Sequence, residues 1–152
     1  MKTFLIILLS IFTSTFALAQ SGLENKSIIH DSILHKFVDE LANVNRATDI
    51  ILSQQIIVSN PSAELYDYLE VSLEEIRLNL QYKNIEDLEF VSFNKMPSKR
   101  LREIDTENLN TDNIYFIQHK GKHVIAVYLE DNKIASFTLV SKGKNKAQFI
   151  FY

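Results

Sequence analysis

Five small groups of residues have the types and spacing that could do chemistry. His119 and His123 stand four apart and invite a metal reading. They straddle Lys120-Gly121, a turn, and strand alternation across it puts them on opposite faces. Two imidazoles so placed cannot share an ion, and a metal site needs more than two ligands. The pair therefore reads as a solvated hairpin tip, and no metal or other cofactor is expected. Asp31 and His35 are spaced i, i+4 on a helix, the arrangement that orients a general base, but no nucleophile or third member accompanies them. A surface pair is the simpler reading.

The run Asp105-x-Glu107-x-x-Asn110-x-Asp112 offers hard oxygen ligands of the kind calcium takes. It lacks the glycine and terminal glutamate of a calcium-binding helix–loop–helix motif and reads as a solvated acidic loop. Lys99-Arg100-x-Arg102 is a short basic cluster opposed by those acids. Glu70, Glu74, Glu75 and Arg77 fill the polar side of a helix. Paired catalytic carboxylates need a dry pocket that separates their pKa values, and nothing in the residue pattern marks one.

Residues 1–19 stand outside the fold. Lys2 supplies a cationic start, FLIILLSIF an apolar core, and Ala17-Leu18-Ala19 a small-x-small exit. This is the layout of a cleaved secretory signal peptide, and the apolar core is short of the ~20 residues that span a bilayer. The expected location is secreted or periplasmic, with no membrane span. The chain has no cysteine, which removes a lipid anchor at the junction, disulfides, thiolate metal sites and cysteine nucleophiles. Residues 1–19 carry one basic and no acidic residue, so the remainder holds 15 basic against 19 acidic residues, a net charge of −4. That mild acidity argues against nucleic acid, which needs a clustered positive field.

The rest reads as a flexible start over 20–27 and one domain over 28–152. Apolar residues recur at helical spacing over 28–44, from Ile29 to Leu41. A short helix follows over 50–53 and a short β-branched strand over 54–59. Asn60-Pro61 predicts the start of a long helix carrying Leu65, Leu69, Leu73, Ile76 and Leu80 on one stripe to about Gln81. A strand over 86–94 and a long charged connection over 98–113 lead into a meander. Its strands, 114–119, 122–130, 133–141 and 146–152, are divided by Lys120-Gly121, Asp131-Asn132 and residues 142–145.

A regular register across those turns sets Ile117 opposite Val124, Tyr115 opposite Ala126 and Ala126 opposite Phe137. One sheet face then holds Tyr115, Ile117, Val124, Ala126, Tyr128, Ala135, Phe137 and Leu139. The other holds Ile114, Phe116, Ile125, Val127, Leu129 and Ile134. Both faces are apolar. The helices cover one, and a bare second face would forgo ~1.5–3 kcal/mol per large side chain. Apolar patches of that kind mark interfaces, so a homodimer through the sheet is expected.

The order of helix, short helix, short strand, long helix, strand and antiparallel meander over 28–152 resembles the nuclear transport factor 2-like (cystatin-like roll) superfamily. The tail IASFTLVSKGKNKAQFIFY is also similar to small secreted bacterial proteins. The superfamily resemblance implies an α+β roll whose N-terminal helices pack on a curved antiparallel sheet, with a small-molecule pocket at the mouth of the cone. A pocket between the long helix and the meander would be lined by Tyr66, Tyr68, Tyr82, Tyr115, Tyr128 and Phe137. The leading functional expectation is a non-catalytic module that binds a small apolar ligand or a protein partner. The alternative is a small isomerase- or hydrolase-like enzyme with a buried carboxylate as general base. A third reading is a protein that neutralises a secreted toxin or protease.

Overall fold

The computed structural model describes residues 25–152; the expected signal segment and residues 20–24 of the expected flexible start lie outside the described residues. Residues 25–32 are helical and belong to one unit of the chain; residues 33–152 form a second, compact unit. This second unit is α+β, with helices first and antiparallel strands after.

Its helices follow the local chemistry of the sequence. Helix α1 covers 33–42 and buries Leu34, Phe37, Val38 and Leu41, a run of i, i+3 and i+4 steps that makes one stripe. Helix α2 is Thr48–Gln55. It absorbs the first residues of the strand expected over 54–59, and Ile56 makes only a single parallel bridge to Ile134. Helix α3, Ala63–Gln81, buries Leu69, Leu73 and Leu80. Its cap is Ser62, whose hydroxyl accepts from the Leu65 N–H at 3.1 Å, two residues beyond the Asn60 expected in that role.

Arg77 is a further departure. It sits at i+4 from Leu73, on the apolar stripe, and is buried. Its guanidinium donates to the carbonyls of Leu41 and Arg46 and to the Glu74 carboxylate. Carbonyls in the last turn of a helix have no intrahelical donor, and Arg77 supplies one to α1.

Strands β1 (Leu88–Ser92), β2 (Ile114–His119), β3 (Lys122–Glu130) and β4 (Lys133–Ser136) form an antiparallel meander in that order. The β2–β3 and β3–β4 turns have both central residues at positive φ: Lys120 and Gly121 at 51° and 71°, Asp131 and Asn132 at 47° and 59°. This is the two-residue turn whose twist matches paired strands, as the residue types require. Beyond Ser136 the chain leaves the sheet. Strands β5 (Leu139–Gly143) and β6 (Lys146–Phe149) form a separate hairpin, so the expected single strand over 133–141 is broken at Phe137-Thr138.

The register departs from the regular one at two bulges. Gln118 lies opposite His123, as expected, but Ile117 lies opposite Ile125, leaving Val124 as the extra residue. Glu130 and Leu129 lie opposite Lys133 and Ile134, and then Tyr128 lies opposite Ser136. The one-residue slip at Val124 exchanges the faces of β3. Ile125, Val127 and Leu129 join Ile117 and Ile134 against the helices. Ala126 and Tyr128 join Ile114, Phe116 and Ala135 on the far face.

That far face is covered by the chain itself. Met96, Ile104 and Phe149 bury against it, with Phe93, Leu101, Leu109 and Leu139 packed at its margins. The segment expected as a long charged connection is folded down by a short helix, α4 (Ser98–Leu101), and by a main-chain graft onto β6. The Ala147 N–H donates to the Glu103 carbonyl at 2.8 Å and the Asp105 N–H donates to the Ala147 carbonyl at 2.7 Å. The apolar character of the second face is therefore answered within one chain and gives no ground for a second copy there.

Candidate functional site

A cleft of about 730 Å³ opens between α3 and the meander. Three local devices shape it. The bulge at Val124 directly follows His123, which stays opposite Gln118 on the far face, where its ring meets Phe116 edge-on at 5.1 Å between centroids. The departure of the chain after Ser136 leaves the first part of β3 without an outer neighbour. The α4 segment stands on the other side, held by Arg100, whose guanidinium donates twice to the Gly121 carbonyl at 3.2 and 3.1 Å. Gly121 is at φ 71°, a conformation other residues adopt at a cost, and a Cβ there would meet nothing within 4 Å. The turn, and not space, calls for glycine.

The floor is apolar, with Phe116, Ala126, Phe137 and Leu139, and Ile76 and Ile104 add apolar surface from the α3 and α4 sides. The rim is polar: Tyr68, Ser72 and Glu75 from α3, and Arg100, Glu103 and His123 opposite. Partial desolvation of the otherwise exposed His123 ring holds its pKa below the ordinary imidazole value, and the positive charge of Arg100 adds to the effect while Glu103 opposes it. Its imidazole is therefore mostly neutral at pH 7, able to accept or donate one hydrogen bond. Glu75 and Glu103 are both solvent-exposed.

Among the described residues, no three His, Asp or Glu side chains converge as a metal ion requires. The oxygen-rich loop spends two of its three carboxylates, those of Asp105 and Asp112, on structure. Asp105 takes Lys142 Nζ on one oxygen and the Glu107 N–H on the other, and Asp112 accepts from the Asn94 amide. The Lys142 hydrogen bond, the Glu107 N–H and the nearby Lys142 charge together hold the Asp105 carboxyl below its usual range. His35, one half of the Asp31–His35 pair, lies with its ring 4.0 Å from that of Phe90. His119 and His123 keep opposite faces, but His123 is a wall of the cleft rather than part of a bare tip.

Of the six aromatic residues picked out from the sequence, the structure brings Tyr68 and Phe137 together in this cleft. Tyr68 is half exposed on α3; Phe137 is buried between Phe37 and Tyr152. Tyr66 is on α3 but not in the cleft lining, and Tyr82, 87% exposed, lies past the end of that helix. Tyr115 is half buried against the helix-side core, and Tyr128 is buried on the far face against Phe149 and Phe151. Sequence reasoning passed over Ser72, Glu75, Arg100, Glu103 and His123 as lining residues. They come from three separate segments, and none of them carried a local sign of its placement.

Comparison of this chain with protein-family models, with curated proteins and with solved structures found no match. Among the described residues, no helix is long and apolar enough to cross a membrane.

Proposed function

We propose that this is a non-catalytic binding module, secreted or periplasmic, that holds an elongated ligand with apolar and polar sides in the cleft between α3 and the meander. The observation that carries this reading is the cleft itself: about 730 Å³, apolar at the floor and ringed by a few polar groups. Ligand sites commonly fall in the range ~300–1,000 Å³ with that division of chemistry. Binding is favoured over general-base catalysis because the carboxylates that line the cleft, Glu75 and Glu103, are open to water. A carboxylate base poised near neutrality needs desolvation to lift its pKa.

The test is titration of the chain lacking residues 1–19 with 1-anilinonaphthalene-8-sulfonate, an apolar anion with a polar end. One-site, saturable fluorescence enhancement is expected. Ser72→Trp, at a half-buried position of α3 on the cleft rim, fills the cleft and should weaken binding about tenfold or more at unchanged melting temperature. Unsaturable binding, or equal binding by Ser72→Trp, overturns the reading.

A further inference from the structure

We propose that the cleft takes its ligand as an added β-strand: an extended segment of another polypeptide pairing with the open edge of β3 over 122–127. The inference deepens the binding reading above and rests on it.

Strand β3 is nine residues long, and β2 runs beside it from Ile114 to His119. On its other side β4 pairs only with Tyr128, Leu129 and Glu130. The main chain that would have continued the ladder is drawn away by specific bonds. The Phe137 N–H donates to the Tyr152 hydroxyl at 3.3 Å, that hydroxyl donates to Thr138 Oγ1, and the Ile150 N–H donates to the Thr138 carbonyl at 3.1 Å. The outer backbone groups of 122–127 are thus left without a strand neighbour, and such groups template another chain.

The shape of the cleft matches that edge. Every residue from 121 to 126 lines it, without alternation. Successive side chains of a strand point to opposite faces, so a cavity that lay on one face would touch every second residue. Unbroken lining means that the cleft meets β3 edge-on. A polypeptide strand is the ligand whose donors and acceptors repeat at the spacing of that edge.

The walls favour a lone chain over a second folded copy. Helix α3 rises on one side of the edge, and the segment carrying Arg100 and Ile104 on the other. An inserted strand sends alternate side chains toward each wall. Ile76 and Tyr68 receive one set, Ile104, Arg100 and Glu103 the other. Another copy would bring its own flanking strands and helices into the same space. Lys122 at the start of the edge and the bulge at Val124 are devices that discourage such sheet-to-sheet pairing. The partner is accordingly an extended peptide with apolar side chains on both faces near its centre.

The experiment selects binders from a displayed library of random decapeptides against the chain lacking residues 1–19. One selected peptide is then made in three forms: unmodified, and N-methylated at alternate amides in each of the two registers. Strand addition predicts that one methylated register keeps its affinity and the other loses about thirtyfold, because only one set of N–H groups faces β3. It also predicts that outward amides of 122–127 exchange at least about tenfold more slowly when the peptide is bound. Ser72→Trp should abolish both effects. The proposal is overturned if selection yields no binder, if both methylated registers bind alike, or if protection falls elsewhere. It is overturned equally if the edge amides are already protected in a dimer of twice the monomer mass. In each case, retained one-site binding of 1-anilinonaphthalene-8-sulfonate leaves the broader reading standing, and its loss removes both.

Discussion

Arg100 reaches across from the α4 segment and places its guanidinium on the carbonyl of Gly121, the second residue of the β2–β3 turn. This contact joins a wall of the cleft to the start of the open strand edge. Its charge also faces His123, two residues further on, and helps hold that imidazole neutral. Arg100→Met is expected to raise the His123 titration midpoint toward the ordinary value, followed by the ring proton shifts. Because both residues are exposed, stability should change by less than about 1 kcal/mol. An unmoved midpoint would mean that the guanidinium does not face the ring in solution.

The fold should weaken in mild acid. His123 and His30 both have pKa values lowered from 6.5, chiefly by desolvation, partial at exposed His123 and fuller at buried His30, with Arg100 and Lys26 respectively as further causes. A histidine whose folded pKa is depressed favours the folded state while neutral. That contribution is present above the unfolded pKa near 6.5 and is lost as pH falls through the lower folded values. Urea midpoints should therefore decline below about pH 6.5, and His123→Gln should flatten the His123 part of that decline. Equal slopes in the two proteins would contradict this assignment.

Arg77 binds the end of α1 from inside the protein. Arg77→Leu keeps an apolar stem but leaves the Leu41 and Arg46 carbonyls without their donor. The expected loss is about 1–3 kcal/mol in urea unfolding, and Arg77→Lys should recover only part of it because one ammonium cannot fork between the two carbonyls. A neutral result for Arg77→Leu would show that water satisfies those groups.

The second core should be as necessary as the first. Phe116 is fully buried on the face covered by residues 93–113 and the β5–β6 hairpin. Phe116→Ala is expected to cost about 3–5 kcal/mol, with a midpoint independent of protein concentration. A midpoint that rises with concentration would indicate that a second molecule contributes to that face.

Tyr152 connects the diverted strand to the α2–α3 connection. Its hydroxyl takes the Phe137 N–H, and its carbonyl accepts from the Ser59 N–H at 2.6 Å. Burial raises its pKa above 10, outweighing the hydrogen bonds from its neighbours. A raised tyrosine contributes stability that is complete below the unfolded pKa and is lost as pH climbs through the folded one. Tyr152→Phe should cost about 1 kcal/mol at pH 7 and remove the Tyr152 share of alkaline destabilisation. An unchanged alkaline profile would show that the hydroxyl ionises as freely in the folded protein as in the unfolded one.

Near-neighbour chemistry alone determined the helical stripe of Leu65, Leu69, Leu73 and Leu80 and the positive-φ turns at Lys120-Gly121 and Asp131-Asn132. It also determined the order of helices before an antiparallel meander. Those features depend on residues within a turn or two of each other, so they can be read in one dimension. The tertiary structure decided the rest. The bulge at Val124 has no residue signature, since it is set by which partners β2 and the helices offer, and it moved Ile125, Val127 and Leu129 to the helix side. The break after Ser136 depends on Tyr152 and Ile150 arriving from later in the chain. The cover over Phe116 depends on Met96, Ile104 and Phe149 folding back across it. Each is a choice between apolar surfaces of similar hydrophobicity, and only three-dimensional packing distinguishes them.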